Sequence, residues 1–458
     1  MTSPAIALPD PTRTGLPPGP SMPGIMQALH LWRRPLAFMD ECTRRFGDCF
    51  TIRIPSLATD VFFSDPEAVR EIFTADVDVA RAGEANAIVE PLLGASSLLR
   101  LDGPRHLRER RLMLPPFHGE RMQAYGEVMR EITDREIDRW PAGRPFPIRL
   151  SMQRITLDVI IRTVFGVAEG PMLERLRDRL EAVLAVGTNP TILWPPLQLD
   201  LGAWSPWGRL VRARGEVRAL LGAEIGRRRA ENLAAADILT MLVAARDEDG
   251  QPLSDEDLTD QMMTLLFAGH ETTATALAWT FHRVLGRPDV LAKIRKEYQQ
   301  VVGTGPLRPE HVARLEYLDA VVKETMRLDP IIPEVGRRLS RPLRIGGWDL
   351  PAGVVVAPCI YLVHRRADRW PDPERFDPER FVGARPGPYE FFPFGGGVRR
   401  CIGMAFALYE MKIVLSRVFA RTDLTLAAGY RARPVRRAVT LAPSRGMPVV
   451  MSERRSPR

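Results

Sequence analysis

The sharpest chemical feature of the sequence is a single cysteine that follows a glycine-rich loop. Residues 394–403 read FGGGVRRCIG, and an apolar helical pattern continues from this loop to about Phe419. Glycines let the backbone turn closely around Cys401, and a helix start directs peptide N–H groups towards its sulfur. These surroundings stabilise a thiolate, which is both a nucleophile and a metal ligand. Without such neighbours, a lone cysteine is more simply a small buried apolar residue.

A second feature is a short polar motif in the middle of a long apolar segment. Ser254 provides an N-cap signal, and the apolar spacing after it predicts a helix over 255–285. At its centre the chain reads AGHETT. The small residues Ala268 and Gly269 leave room for a flat ligand against the helix. Thr272 supplies a hydroxyl that can bond a local carbonyl or a bound oxygen species.

Two pairs of charged residues also lie at helical spacing. Glu324 and Arg327 are three residues apart in a helix that Pro330 ends, so their side chains share one face. His106 and Arg110 are four residues apart and could donate together to an anionic group. Taken alone, each pair is more simply a charged helix surface.

These motifs resemble those of the cytochrome P450 family and follow one another in the family's order. The family's cysteine loop, FxxGxRxCxG, is matched at Phe394, Gly397, Arg399, Cys401 and Gly403. The resemblance implies that the Cys401 thiolate binds the iron of haem b, iron protoporphyrin IX. It further implies that haem propionates are bound by His106, Arg110, Arg337 and Arg399.

The other motifs receive roles from the same resemblance. AGHETT is similar to the oxygen-activating motif (A/G)Gx(D/E)T, which makes Glu271 the acid and Thr272 the alcohol of a proton relay. Ala268 and Gly269 would lie against the haem. The resemblance assigns a buried structural triad, which braces the cysteine loop and is not catalytic, to Glu324, Arg327 and Arg380.

The elements that must position these residues are mainly helical. Apolar residues recur at helical spacing in 121–140, 151–165, 171–186, 209–229, 255–285 and 312–328, and strand-like pieces are short, at 49–54, 61–63, 335–345 and 353–358. We predict a mainly α fold with a small β portion, the cytochrome P450 fold, with haem between the long central helix and the cysteine-loop helix. We expect residues 1–15 to be a flexible lead-in and 16–458 to be a single catalytic domain.

Composition excludes several classes of function. The 458 residues include 64 basic and 56 acidic side chains, a formal net charge of +8, but the basic runs lack interleaved aromatics and a nucleic-acid readout motif. The chain has no apolar stretch long enough to span a membrane and no secretory signal. Its four cysteines show no zinc or disulfide spacing. We expect a cytoplasmic protein that binds no nucleic acid, with a monomer as the default.

The resemblance implies a haem-thiolate monooxygenase that inserts one atom of O2 into a hydrophobic substrate by hydroxylation or epoxidation. Aliphatic residues in 77–100, 186–208 and 265–268 favour a fatty acid or a terpenoid or steroid-like molecule. Because little chain follows Cys401, we expect electrons to come from a separate NAD(P)H reductase through an acidic ferredoxin or flavodoxin. Such a partner would be attracted by basic residues such as Arg108, Arg111, Arg400 and Lys412.

Two other functions remain open at this level. A peroxide-driven hydroxylase would not need Glu271 and Thr272, so the intact pair argues against it. A haem-binding sensor or carrier would bind carbon monoxide without substrate-dependent consumption of NAD(P)H. It too would have no use for a proton relay.

Overall fold

The computed structural model describes residues 15–55, 58–117, 119, 121–166, 170–187, 197–231 and 237–455. The chain divides into two compact units. The first comprises Met1–Ala87, Pro333–Pro373 and Gly387–Arg400, and the second comprises Ile88–Ile332, Glu374–Pro386 and Cys401–Arg458. The single catalytic domain over 16–458 stays a prediction, as does the lead-in, most of which lies outside the described residues.

Helices predominate, which confirms the predicted mainly α class. In chain order they are α1 (Gly24–Arg33), α2 (Pro35–Phe46), α3 (Pro66–Thr74), α4 (Ala82–Ala85), α5 (Glu90–Leu93), α6 (Gly103–Met113), α7 (Arg121–Asp138), α8 (Ile148–Phe165), α9 (Pro171–Gly187), α10 (Pro206–Glu231), α11 (Ile238–Ala244), α12 (Asp255–Leu285), α13 (Pro288–Val301), α14 (Pro309–Val312), α15 (Glu316–Leu328), α16 (Ile360–Val363) and α17 (Met404–Arg421). The strands are β1 (Cys49–Arg53), β2 (Thr59–Phe63), β3 (Ala80–Arg81), β4 (Pro145–Pro147), β5 (Arg337–Leu339), β6 (Leu343–Ile345), β7 (Trp348–Leu350), β8 (Val355–Pro358), β9 (Thr422–Leu426), β10 (Pro434–Arg437), β11 (Thr440–Pro443) and β12 (Pro448–Arg454).

The first unit is organised around a five-stranded sheet with the order β1-β2-β8-β5-β3. β1 and β2 form the predicted strand pair, antiparallel, with Cys49 opposite Phe63, whereas β2 and β8 are parallel. Side chains alternate between the two faces of such strands. One face of β1 and β2 therefore packs on α2, where the Phe50 and Phe62 rings stack 5.3 Å apart, and the other packs on α3.

The second unit is built around α12, which has 31 residues. Ser254 caps this helix as predicted, because its Oγ accepts a hydrogen bond from the Asp257 N–H at 3.0 Å. α8 packs along α12, and α10, α15 and α17 contact it elsewhere. The predicted bounds of α12 and the predicted helix after Cys401 are confirmed.

Two parts of the second unit, helix α13 and the sheet β4-β12-β9, leave little apolar periodicity in the sequence. Helix α13 has only a narrow apolar stripe, in which Val290 and Ile294 are buried. The sheet β4-β12-β9 joins strands that are distant in sequence, with Phe146 opposite Val449. Pairings of this kind depend on tertiary packing more than on strand propensity, so they leave a weak local signal.

Candidate active site

The glycine-rich loop ahead of Cys401 has a backbone that only glycine adopts easily. Gly395 has φ of +70° and Gly397 has φ of +63°. A Cβ on Gly396 would overlap the ring of Phe73, and a Cβ on Gly397 would overlap the Phe73 carbonyl oxygen. The glycines therefore serve both the turn and the close packing of this loop on α3.

Cys401 lies two residues before Gly403, the N-cap of α17. Its side chain is exposed and forms no disulfide. Arg110 lies within electrostatic range of it: burial lowers the pKa of the Arg110 guanidinium, and negative charge on Cys401 opposes that lowering. His106, one turn before Arg110 on α6, is buried.

A network of hydrogen bonds holds α6 against α12. The Gln261 amide on α12 donates to the Glu109 carboxylate at 2.6 Å, and Arg105 binds both Glu109, at 3.0 Å, and Asp257, at 2.8 Å. The Gln261 side chain also accepts from the Leu98 N–H at 3.0 Å. α6 and the chain that precedes it are thereby positioned on the central helix.

The central helix opens at one place. From 258 to 281 every residue of α12 is buried except Phe267, Ala268, Gly269 and Thr272. Thr272 donates its hydroxyl to the carbonyl oxygen of Ala268 at 2.6 Å. A Cβ on Gly269 would lie 3.1 Å from the Ile160 side chain of α8, so this glycine allows the two helices to pack closely.

The open face of α12 borders a cavity of about 410 Å³. Its apolar wall includes Val89, Leu93, Leu99, Phe267, Ile332 and Val439. Of the three aliphatic segments that favoured a hydrophobic substrate, two contribute to the cavity wall, 77–100 and 265–268. Within the second of these, Phe267 and Ala268 line the cavity, whereas Leu265 and Leu266 are buried and do not. Part of the third, 188–196, lies outside the described residues.

Glu271 turns towards α8. Its carboxylate accepts from Arg149 Nη1 at 3.1 Å and from Gln153 Nε2 at 2.6 Å. The neighbouring His270 is fully buried beside Thr156, and burial, with a smaller contribution from Arg149, lowers its pKa to about 3. His270 is therefore neutral at physiological pH.

The structure brings Glu324, Arg327 and Arg380 together in the second unit. Arg327 Nε lies 2.7 Å from Glu324 Oε2, and both side chains are 0% exposed. Arg380 Nε lies 3.6 Å from Glu324 Oε1. The carboxylate also accepts from the Asp377 N–H at 2.8 Å, while Arg327 donates to the Arg375 carbonyl at 3.2 Å. The cluster fastens α15 to the segment around 375–380.

The remaining candidates, Arg337, Phe394 and Arg399, belong to the first unit. Arg337 on β5 is buried, donates to the carbonyl oxygens of Gly336 and Gly396 at 2.8 and 3.4 Å, and lies over the Phe73 ring. Arg338 points the opposite way, exposed and 3.9 Å from Glu84, as strand alternation predicts. Phe394 and Arg399 are both partly exposed.

Comparisons with known proteins agree on one family. The family model described as Cytochrome P450 matches residues 16–447. The chain belongs to the cytochrome P450 family. It is 43% identical to cytochrome P450 135B1 of Mycobacterium tuberculosis, over 94% of this chain and 90% of that protein. It is 36% identical to cytochrome P450 138 of the same species, over 99% and 100%.

Solved structures of P450s share the fold. The retinoic acid-bound cyanobacterial CYP120A1 has a TM-score of 0.84 and 28% identity, over 96% of this chain and 99% of that chain. The haem domain of cytochrome P450DA has a TM-score of 0.81 and 25% identity, over 96% and 98%. The predicted P450 fold is thus confirmed.

Family membership establishes the general activity. The P450 is an oxidoreductase, a haem b-dependent monooxygenase that uses O2, a substrate and redox partners. Among the helices that the structure describes, none combines the length and apolarity that crossing a lipid bilayer requires.

The residues present fit haem b. In the second unit, α12 has the small residue Ala268 on its open face, Cys401 presents a thiol just before α17, and α6 places Arg110 near that thiol. A soft sulfur ligand, an open face for a flat ring and cationic donors for carboxylates are the groups that a haem-thiolate site needs.

The sequence motifs did not reveal every polar residue at the cavity of this P450. Arg149 and Gln153, which hold Glu271, and Arg437, which lines the cavity, carry no motif. The spacing of Arg149 and Gln153 predicts only that they share a face of α8. Their partner is more than a hundred residues away in sequence, so no local pattern could have identified it.

One sequence expectation requires correction. Lys412 is only 14% exposed and lies 3.6 Å from Asp319, because α17 packs against α15 at this position. It is therefore poorly placed to attract a partner protein. Arg108 and Arg111 are also paired, with Asp247 and Glu248, each at 2.5 Å.

Proposed function

We propose that this P450 hydroxylates or epoxidises a hydrophobic substrate, a fatty acid or a terpenoid or steroid-like molecule. The observation that carries the proposal is the largely apolar cavity beside the open face of α12. The hydroxyl-bearing residue Thr272 lines this cavity. Its volume falls in the range that suits a small-molecule ligand. The structural relative CYP120A1 was solved with retinoic acid, an apolar isoprenoid acid.

Each haem contact of the family is assigned to a residue of this chain. Cys401 would provide the thiolate ligand, and the propionates would be bound by His106, Arg110, Arg337 and Arg399. Further contacts with the ring would come from Ala268, Gly269, Phe394 and Gly403. When bound, haem supplies the activation of O2 and the oxidising power, and the protein supplies orientation and electrostatics.

We assign proton delivery to Thr272 and Glu271. The Thr272 hydroxyl lies at the cavity, where it can accept one proton while passing another on. Glu271 is the only acid of the motif and lies next to it in sequence, held by Arg149 and Gln153. Glu324, Arg327 and Arg380 have a structural role in this proposal, since their charges are satisfied by one another and by backbone groups.

The proposal also covers the source of the electrons and the cellular location of the protein. Electrons would come from an NAD(P)H reductase through an acidic ferredoxin or flavodoxin, attracted by the net charge of +8. We place the protein in the cytoplasm, as a monomer that binds no nucleic acid. Four cysteines that form no disulfide are typical of a reducing compartment.

The ferrous carbonyl spectrum tests this function. With adequate haem supply we expect the purified protein to show the red-shifted Soret band of thiolate ligation. Cys401→Ser should lose that band, whereas Cys49→Ser, a matched substitution at a partly buried cysteine of β1, should retain it. A colourless protein, or a carbonyl spectrum without the red shift, would contradict the proposal.

A further inference from the structure

The cavity beside α12 carries more positive than negative charge. Its lining contains three arginines and two glutamates: Arg149, Arg154, Arg437, Glu181 and Glu271. A buried charge in the wall of a pocket must be paired or must find a counter-charge in the ligand, so the partners of these residues indicate what the pocket binds.

Two of the arginines already have carboxylate partners. Arg149 is 3% exposed and binds Glu271 at 3.1 Å. Arg154 is largely exposed, and its guanidinium lies 3.5 Å from the Glu136 carboxylate. Arg149, Arg154 and Glu271 are thus in ion pairs, and the remaining charged residues of the lining are Arg437 and Glu181.

Arg437 has no such partner among the described residues. It is the last residue of β10, immediately before the two-residue turn to β11, and its side chain is partly buried. Among the residues that the structure describes, no carboxylate lies within 4.0 Å of its guanidinium, and no acceptor forms a hydrogen bond with it. Glu181 is exposed on α9 and forms no ion pair with a described residue.

Arg149 adds a second positive charge to the same wall. Its Nη1 binds Glu271, but its Nε is buried without a hydrogen-bond partner among the described residues. The two guanidinium groups are close enough to interact, since the charge of Arg437 lowers the pKa of Arg149 in addition to the effect of burial. In the described part of the chain, Arg149 and Arg437 together have one carboxylate partner, Glu271, so one positive charge is left without a counter-charge, which a ligand anion would supply.

We infer that the cavity binds an amphipathic carboxylic acid, whose carboxylate is held by Arg437, with the guanidinium of Arg149 as a second positive charge nearby. The apolar body of the acid would lie along Val89, Leu93, Leu99 and Phe267. Guanidinium groups match carboxylates in geometry and charge, and such bonds are stronger than neutral ones. The inference rests on the proposed function, because it names the substrate class of the same cavity, and it gives Arg437 a specificity-determining role.

Calorimetric titration of the ferric holoenzyme tests the inference without turnover. Tetradecanoic acid and abietic acid, a straight-chain and a terpenoid acid, are each compared with their methyl esters. We expect at least one acid to bind roughly tenfold more tightly than its ester, the effect of a charge-assisted hydrogen bond, and to bind more weakly as salt is raised. Equal affinity within both pairs, or no binding of either acid, would overturn the inference.

Arginine variants locate the effect. Arg437→Gln should abolish the preference for the acid, and Arg437→Lys should keep part of it. Arg433→Gln is the matched control, since Arg433 is exposed just before β10 and does not line the cavity. Retention of the preference in a folded Arg437→Gln protein would overturn the assignment, and the wild-type comparison decides the question if that variant fails to fold.

The two proposals fail separately. Loss of the thiolate-type carbonyl spectrum contradicts the haem-thiolate function whatever the calorimetry shows. An intact spectrum with equal affinity for acid and ester contradicts only the carboxylate site.

Discussion

Thr272 differs from other threonines of α12 by its position and not by its local bonding. Thr264, Thr272 and Thr280 each donate the hydroxyl to the carbonyl oxygen four residues earlier, at 2.7, 2.6 and 2.9 Å. Of the three, only Thr272 lies at the cavity, and Thr280 is completely buried. The hydrogen bond to the backbone therefore does not distinguish Thr272 from the other two threonines. What distinguishes Thr272 is its exposure to the cavity.

We predict that Thr272→Ala uncouples electron consumption from substrate oxidation. Without the hydroxyl, proton delivery fails and more of the electrons should appear as hydrogen peroxide. The ratio of peroxide to oxidised product per NAD(P)H is the measurement. Thr280→Ala, which deletes the same backbone bond away from the cavity, should leave that ratio unchanged. Equal coupling in wild type and Thr272→Ala would remove the role assigned to Thr272.

Asp60 on β2 predicts a pH-dependent stability in the first unit. Burial, with a smaller contribution from the negative charge of Glu334, raises the pKa of Asp60 to about 7. Between about pH 4 and pH 7 the folded state therefore binds more protons than the unfolded state. The free energy of unfolding must fall as pH rises through this window.

Replacing the carboxyl with an amide should remove this dependence. We predict that Asp60→Asn is more stable than wild type above about pH 7, by roughly 2 to 4 kcal/mol, and equal to it below about pH 4. Urea unfolding at several pH values measures the difference. Asp349→Asn, the same change on exposed β7, should give a curve parallel to wild type. A parallel curve for Asp60→Asn as well would show that Asp60 does not titrate in this window.

At the scale of elements, the cysteine loop depends on its packing against α3. Gly395 and Gly397 both have positive φ, but only Gly397 has a neighbour where a Cβ would lie, the carbonyl oxygen of Phe73. The two glycines therefore separate the effect of backbone conformation from the effect of close contact.

We predict that Gly397→Ala disrupts haem incorporation and that Gly395→Ala largely preserves it. Each alanine at positive φ costs about 1 kcal/mol, but Gly397→Ala must also shift the loop that leads into Cys401. The measured quantities are haem content per protein and the ferrous carbonyl spectrum. Similar haem content in both variants would show that the contact with Phe73 does not position the loop.

At the scale of the whole molecule, many exposed arginines of the described residues form ion pairs within the chain. Arg108 and Arg111 bind Asp247 and Glu248, although Arg111 remains 69% exposed. Exposed pairs of this kind contribute little to stability and are weakened by salt. Arg111 therefore remains available to an acidic partner that competes with Glu248.

We predict that reduction of this P450 by an acidic ferredoxin slows as ionic strength rises. Opposite net charges accelerate the encounter of the two proteins, and salt screens that attraction. Stopped-flow reduction under carbon monoxide measures the rate. Arg111→Gln should slow reduction at low salt more than Arg433→Gln. A rate that does not change with salt would argue against an acidic partner.

The sequence alone was sufficient for features that lie within one element. Residue spacing alone accounts for four of them: the bounds of α12, the helix after Cys401, the pairing of Glu324 with Arg327 and the opposite directions of Arg337 and Arg338. Helical and strand periods place these side chains without reference to the rest of the chain. A motif of local spacing therefore identified the family before any contact was known.

Only the tertiary structure decided which distant residues meet. Four features depend on contacts between segments that are far apart in the chain. They are the hydrogen bonds of Arg149 and Gln153 to Glu271, the position of Arg437 at the cavity, the pairing of β4 with β12 and the burial of Lys412. Such contacts are set by how whole helices and strands pack, and no short-range period records them. The charge of the cavity, and with it the class of ligand, is a property of that packing.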